Sequence, residues 1–167
     1  MEGRSIMSSL IIQDTIKSSP LADDLTSEEI AAIAGISEIR SLEDHEFLAV
    51  EGDQDNYLYI IISGTLAVLK KMPQGDPEIL CRLQANDLAG ISGFIDGQRR
   101  LAYMQSFGES EVLAISRDKF QGLINTHPHA VYKTMCVLVK EGLDIVRRLN
   151  ENIVELNDYF KQVNSHY

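Results

Sequence analysis

Residues 51–71 read EGDQDNYLYIIISGTLAVLKK. Two runs rich in apolar, β-branched and aromatic residues, YLYIIIS and TLAVLKK, are separated only by the Ser63-Gly64 turn signal, and Glu51-Gly52-Asp53 marks a second turn ahead of them. This is the pattern of strand, tight turn, strand. It continues outward in both directions, with SEIRSL and EFLAV upstream and EILCRL, LAYMQSF and EVLAIS downstream. Further turn signals at Asp44-His45, Pro73-Gln74-Gly75, Asn86-Asp87 and Gly108 recur at the spacing of an all-β barrel or jelly roll. No strand–helix–strand alternation is present, which disfavours a doubly wound parallel sheet.

Helices flank this β region. Thr26-Ser27-Glu28-Glu29 has the capping-box pattern, and the apolar residues of EEIAAIAGI recur at helical spacing, so a short helix is expected to end near Gly35. Residues 117–125 also read as helical. Pro128 sits where proline is tolerated, in the first turn of a helix that runs to about Val163. At ~1.5 Å per residue that helix is roughly 50 Å long and must outrun a small barrel. The expected organisation is an N-terminal arm over residues 1–24 with one helical turn, a mainly β unit with flanking helices over 25–126, the long helix over 127–163 and a tail over 164–167.

Three columns recur every seven residues along the long helix. Met135, Gly142, Leu149, Leu156 and Val163 form the first; Val131, Leu138, Ile145, Asn152 and Tyr159 the second; Tyr132, Val139, Val146, Ile153 and Phe160 the third. The apolar character moves from the second column to the third toward the C-terminus, as a 3.6-residue helix drifts against a 3.5-residue seam. A parallel homodimer is expected, with Met135, Leu138, Gly142, Ile145, Leu149, Asn152, Ile153, Leu156 and Phe160 at its interface. Asn152, polar among apolar neighbours, would set the register.

Fifteen Lys and Arg stand against 25 Asp and Glu, a net charge of −10 that opposes binding to a polyanion. The basic pairs Lys70-Lys71, Arg99-Arg100 and Arg147-Arg148 never merge into a stripe that could track a nucleic-acid groove. Cys81 and Cys136 are the only cysteines; they form no C-x-x-C pair and read as small core hydrophobes in a reducing compartment. Their number excludes a four-thiolate iron–sulfur cluster within one chain. No signal peptide or membrane span is legible, so a cytoplasmic protein is expected.

Residues 89–106, AGISGFIDGQRRLAYMQS, place three glycines and two arginines among apolar side chains. Glycines let backbone N–H groups approach an oxyanion and an arginine fork can complete its cradle, so the loop reads as a phosphate pocket or as a surface turn with a solvated arginine pair. Ser92, though flanked by glycine, lacks the strand-to-helix context of a nucleophile elbow.

Taken together, the first helix, the glycine-punctuated strands, the glycine-rich insertion and the long final helix resemble the cyclic-nucleotide-binding sensor domain of catabolite activator and FNR-like regulators. EGDQDNYLYIIISGTLAVLKK resembles that family's strand–turn–strand signature, with Gly52 and Gly64 in the turns. NDLAGISGFIDGQRRLAYM resembles its phosphate-binding cassette, and SRDKFQGLINTHPHAVYKTM its exit into the dimer helix. Residues 20–160 are covered. The resemblance implies a double-stranded β-helix, or jelly roll, and a ligand site lined by Gly90, Ile91, Ser92, Gly93, Arg99, Arg100 and Leu101. Gly90, Gly93 and Arg100 match the cassette. Ile91 replaces its ribose-binding Glu, Leu101 its Ser or Thr, and Ile145 and Val146 stand where base-contacting polar residues are usual.

Each lost hydrogen bond removes about 0.5–1.5 kcal/mol, so roughly 4 kcal/mol, or a thousandfold in affinity, separates this cassette from a complete one. Three readings follow. The first is a homodimeric sensor module with a degenerate pocket, taking another small anion through Arg100, with Arg99 as the substitute if the register slips, or taking none. A pocket filled by Ile91, Phe94, Leu101 and Tyr103 would make it an interaction module for a further protein. The second is the sensor part of a regulator that does bind a cyclic nucleotide. The third is a cupin-like metal enzyme, which needs converging histidines; His45, His127, His129 and His166 do not converge in sequence. The family's winged helix-turn-helix does not follow residue 163, so direct DNA binding by this chain is not expected.

Overall fold

The computed structural model describes residues 2–164, with side chains placed over residues 6–162. The side chain of Val163 and residues 165–167 of the expected tail, His166 among them, lie outside the described residues, whereas the backbone of Asn164 is the last residue of the long helix. In chain order the elements are α1 (Glu2–Ser18), a 3-10 turn (Pro20–Ala22), α2 (Ser27–Ala34), β1 (Ser37–Leu42), β2 (Phe47–Ala49), β3 (Tyr57–Ser63), β4 (Leu66–Lys70), β5 (Glu78–Leu83), β6 (Leu88–Ala89), α3 (Ile91–Asp96), β7 (Tyr103–Ser106), β8 (Ser110–Ser116), α4 (Arg117–Gly122), a 3-10 turn (Leu123–Asn125) and α5 (Pro128–Asn164).

Two antiparallel four-stranded sheets form the jelly-roll-like body, ordered β1-β8-β3-β6 and β2-β7-β4-β5. Within YLYIIIS the four successive residues Leu58, Tyr59, Ile60 and Ile61 are all buried because β3 is covered on both faces, as central strands with two covered faces are. Leu58 and Ile60 face the helices, packing with Ile16, Ile33, Phe120 and Leu138. Tyr59 and Ile61 face the second sheet, with Leu66, Met104 and Val112. β8 alternates the same way, sending Leu113 and Ile115 to the helices and Val112 and Ala114 to the space between sheets. Gly52 and Gly64 both adopt positive φ in the turns that bound β3.

The capping box at Thr26 is complete: its hydroxyl accepts from Glu29 N–H at 3.2 Å, and the Glu29 carboxylate accepts from Thr26 N–H at 2.7 Å. Glu29 also pairs with Lys133 Nζ at 2.8 Å, tying α2 to α5. The lysine holds the Glu29 carboxyl below its ordinary value, with the Thr26 N–H adding to the effect.

Four expectations need correction. The arm of residues 1–24 is not a loose segment with a single turn; α1 spans 17 residues and drives Ile16 and the following Leu21 into the core. Apolar residues occur on both its faces, Ile12 and Ile16 inward but Ile6, Met7, Leu10 and Ile11 outward, so no clean stripe announces it. The glycine-rich insertion holds the helix α3, and the two-residue β6 that precedes it gave no run long enough to read as a strand. Neither cysteine is a core residue: both are exposed, Cys81 on the edge strand β5 and Cys136 on the outer side of α5. Leu138, placed on the dimer seam by its heptad column, is wholly buried in the core of its own chain, and Met135 packs against that core.

Beyond this anchored first part, α5 leaves its shelter. Ile145, Leu149, Ile153, Leu156 and Phe160 are all exposed, Leu149 to 55%. Asn152 is exposed beside them. Among the described residues no helix is long and apolar enough to cross a membrane.

Candidate functional site

The chain leaves β6 through Gly90, whose φ of 81° places it in the left-handed region, and α3 ends at Gly97 with φ 69°. Both turns need glycine. After α3 the backbone runs back along the turn that follows β2: Arg100 N–H donates to Asp53 O and Gly52 N–H to Arg100 O, each at 2.8 Å. That pairing carries the Arg100 side chain inward over the start of β3.

There the guanidinium meets acceptors of its own chain. Arg100 Nε and Nη2 donate to Asp55 Oδ2 at 3.2 and 2.9 Å, Nη1 donates to Gly90 O at 2.9 Å, and Nη2 also donates to Tyr57 O at 2.6 Å. Only 4% of the Arg100 side chain and 16% of Asp55 reach solvent. A Cβ at Gly90 would lie 2.7 Å from Arg100 Nη1, and one at Gly93 3.1 Å, so the glycines make room for the arginine itself.

The carboxylate is equally engaged. Asp55 Oδ1 accepts from Tyr57 N–H at 3.1 Å, and Oδ2 accepts from the Tyr59 hydroxyl at 3.0 Å. Arg40 Nη1 approaches that hydroxyl at 3.4 Å and its guanidinium lies 4.1 Å over the Tyr57 ring. Burial, then the negative Asp55 beside it, pushes the Tyr59 phenol well above its ordinary value, so it stays a proton donor. Arg117 braces the other end of α3, donating from Nη2 to Ile95 O at 3.2 Å.

The expected ligand residues therefore divide. Gly90, Gly93 and Arg100 converge. Ser92, Arg99 and Leu101 face solvent, Leu101 at 69% exposure, and Arg99 donates only to Gly52 O, at 2.7 Å. Ile91 is half-buried against the core that holds Phe94, which packs on Phe120. Of the four side chains expected to fill the pocket, Leu101 does not: it points outward. Sequence reading missed Asp55 and Tyr59. The signal is an acid two residues ahead of the β3 run, outside the Glu51-Gly52-Asp53 turn signal, to which the sequence reading gave no role.

Two concavities, of about 560 and 240 Å³, lie elsewhere. The larger is ringed by Glu43, Glu46, Glu109 and Glu111, and the smaller lies between Asp23-Asp24 and the first turns of α5. Neither is lined by residues 90–101. Among the described residues no three His, Cys, Asp or Glu side chains gather as a metal site requires.

Comparison with known proteins meets this geometry. Over 100 residues, 59% of this chain, the sequence is 34% identical to the cAMP-activated global transcriptional regulator CRP of Escherichia coli; the match takes in 44% of that protein. The cyclic AMP receptor protein of Thermus thermophilus is 25% identical over 142 residues, 85% of this chain and 62% of the relative. This chain thus spans about half the length of such regulators. Among solved structures, a cyclic nucleotide-binding domain from Methylobacillus flagellatus superposes with a TM-score of 0.77 at 22% identity, covering 87% of this chain and 82% of that one, a likeness of fold. The family model for the cyclic nucleotide-binding domain matches residues 39–127, a span that holds both sheets from Ile39 onward, α3 and the Asp55–Arg100 pair. Signature strands, cassette and fold agree over more than half of the chain, which belongs to the cyclic nucleotide-binding domain family.

Proposed function

We propose that the chain is a homodimeric sensor module of this family whose cassette is degenerate toward cyclic nucleotides, taking a different small anion or none. The observation that carries the reading is the state of Arg100: four donated bonds go to acceptors within the chain, and the side chain is closed to solvent. Ile91 and Leu101 add no hydrogen-bonding group where the resemblance calls for a carboxylate and a hydroxyl. A cyclic phosphate would have to displace Asp55 and both carbonyls, and its ribose would face Ile91 unpaired.

The unit of residues 25–126 acts as the sensor and the helix of 127–163 as the dimer element, through the apolar face that α5 exposes from Ile145 onward. A net charge of −10 argues against direct DNA contact by this chain, so a protein partner in the cytoplasm is the proposed route of output.

Calorimetric titration with cyclic AMP tests the pocket. No binding at or below the micromolar range is expected; a dissociation constant there, about −8 kcal/mol, overturns the degenerate reading. The same outcome would favour the second reading, a regulator's cAMP-binding sensor, which the 34% identity to a cAMP-activated regulator supports.

A further inference from the structure

We propose that the outer face of the sheet β2-β7-β4-β5 docks a short apolar segment of a partner protein, one that brings a single carboxylate to Arg82. The proposal rests on the reading above only in taking a protein partner as the route of output, and it does not depend on the cassette.

An antiparallel sheet with one face on the core and the other in water sends polar side chains outward as a rule. This sheet does not. Ala49, Leu66 and Met104 face the space between the sheets. The register turns the alternate set outward: Leu69 pairs with Tyr103 on one side and with Ile79 on the other, and Phe47, paired with Gln105, brings its ring to 5.8 Å from that of Tyr103. An apolar row thus crosses all four strands. Its ends stand open, Phe47 at 49% exposure and Ile79 at 41%, while Tyr103 and Leu69 between them are half-buried. Contiguous apolar surface on a solvent face marks an interaction site.

Beside the row, Ala67 pairs with Gln105 and with Arg82. Arg82 is exposed, its guanidinium lies 4.5 Å over the Phe107 ring, and among the described residues it pairs with no carboxylate. It is the only charged side chain that these pairings turn outward, in a chain with 25 Asp and Glu. A guanidinium resting on an aromatic ring keeps its planar fork available for a carboxylate.

The chemistry of the occupant follows. Apolar side chains cover the row and one carboxylate meets the fork. A second copy meeting this face with its own brings another arginine and no carboxylate, which is the wrong complement. A strongly acidic segment is opposed by the net charge of −10, so a single carboxylate acting at short range fits best. Tyr103 and Arg82 are of the residue types that anchor protein interfaces.

The test uses the full chain and a synthetic peptide of leucine and threonine carrying one tryptophan and one glutamate, beside the same peptide with glutamine for glutamate. The chain contains no tryptophan, so the emission of the peptide alone reports its burial. A saturable blue shift is expected with the parent, the glutamine peptide binding about fivefold or more weaker. Arg82→Gln should bind the two peptides alike. Phe47→Ser combined with Ile79→Ser should weaken both by about tenfold or more. These side chains are exposed, and a melting temperature close to the parent's checks that each variant folds. Should the double variant fail to fold, Arg82→Gln decides alone.

No shift with either peptide at millimolar concentration overturns the proposal, as do equal affinities of the two peptides for the parent. Binding that survives Phe47→Ser with Ile79→Ser belongs to another apolar surface and overturns it too. None of these outcomes alters the calorimetric test of the cassette.

Discussion

The Arg100 pocket and the outer half of α5 depart from ordinary surface in opposite ways. In the pocket, the Arg100 guanidinium finds its partners at Asp55, Tyr57 O and Gly90 O, and this arginine that resembles a ligand anchor is closed to solvent. Along α5 from Ile145 onward, apolar side chains on one broad face stand exposed, while the ion pairs Asp144–Arg147 and Asp158–Lys161 ornament the rest of the helix. Polar groups that satisfy each other leave little for an outside ligand to gain; an uncovered apolar face leaves much. Under the proposed function, recognition of another molecule falls to the helix rather than to the cassette.

The largest effect expected concerns that helix. Light scattering at micromolar concentration should report twice the chain mass, and Leu149→Asp, which would set two carboxylates against each other in an apolar seam, should return the mass of one chain. A parent protein of single-chain mass would erase the contrast from its open side. Next comes the pocket. Arg100→Met leaves Asp55 buried without its counter-ion and should lower unfolding stability by about 3–5 kcal/mol in chemical denaturation; a loss under about 1 kcal/mol would mean that the pocket is not held by this pair.

A smaller effect tests the tie between α2 and the anchored start of α5. Because Lys133 lowers the folded-state pKa of Glu29 below the ordinary 4.5, the stability contributed by the pair is present above that value and is lost as pH falls through the lowered one. Lys133→Met should cost about 1 kcal/mol at neutral pH and should remove the part of the acid-limb slope that Glu29 supplies, read as denaturation midpoint against pH. Arg99→Ala, which breaks one exposed bond to Gly52 O, should change stability by less than about 0.5 kcal/mol. A larger loss would show that the solvent-facing arginine shares the work assigned to its neighbour.

What the sequence made legible follows from how local each signal is. β3 and β5 match YLYIIIS and EILCRL residue for residue, the Thr26 capping box is fixed by side chains one turn apart, and α5 starts at Pro128, whose ring suits the first turn of a helix. α1 escaped because its apolar residues serve both core and surface, and β6 because two residues carry no period. At the site, Gly90 and Arg100 could be aligned from sequence. The partner of Arg100 could not, because Asp55 lies 45 residues upstream and reaches the arginine only after Gly52 and Asp53 pair with the returning chain. The exposure of Cys81 was equally hidden: strand composition does not say which strand forms the sheet edge.

The brackets around α3 carry one more consequence. Six residues lie between two left-handed glycines, with no side-chain cap at the first, and an arginine from outside the helix holds a carbonyl at each end: Arg100 at Gly90 O, Arg117 at Ile95 O. A helix this short has little cooperativity of its own. Its amide protons should therefore exchange with deuterium as one block, at a rate governed by release of the two arginines rather than by fraying from either end. The block should exchange far sooner than β3 and β8, whose amides open only with the sheet.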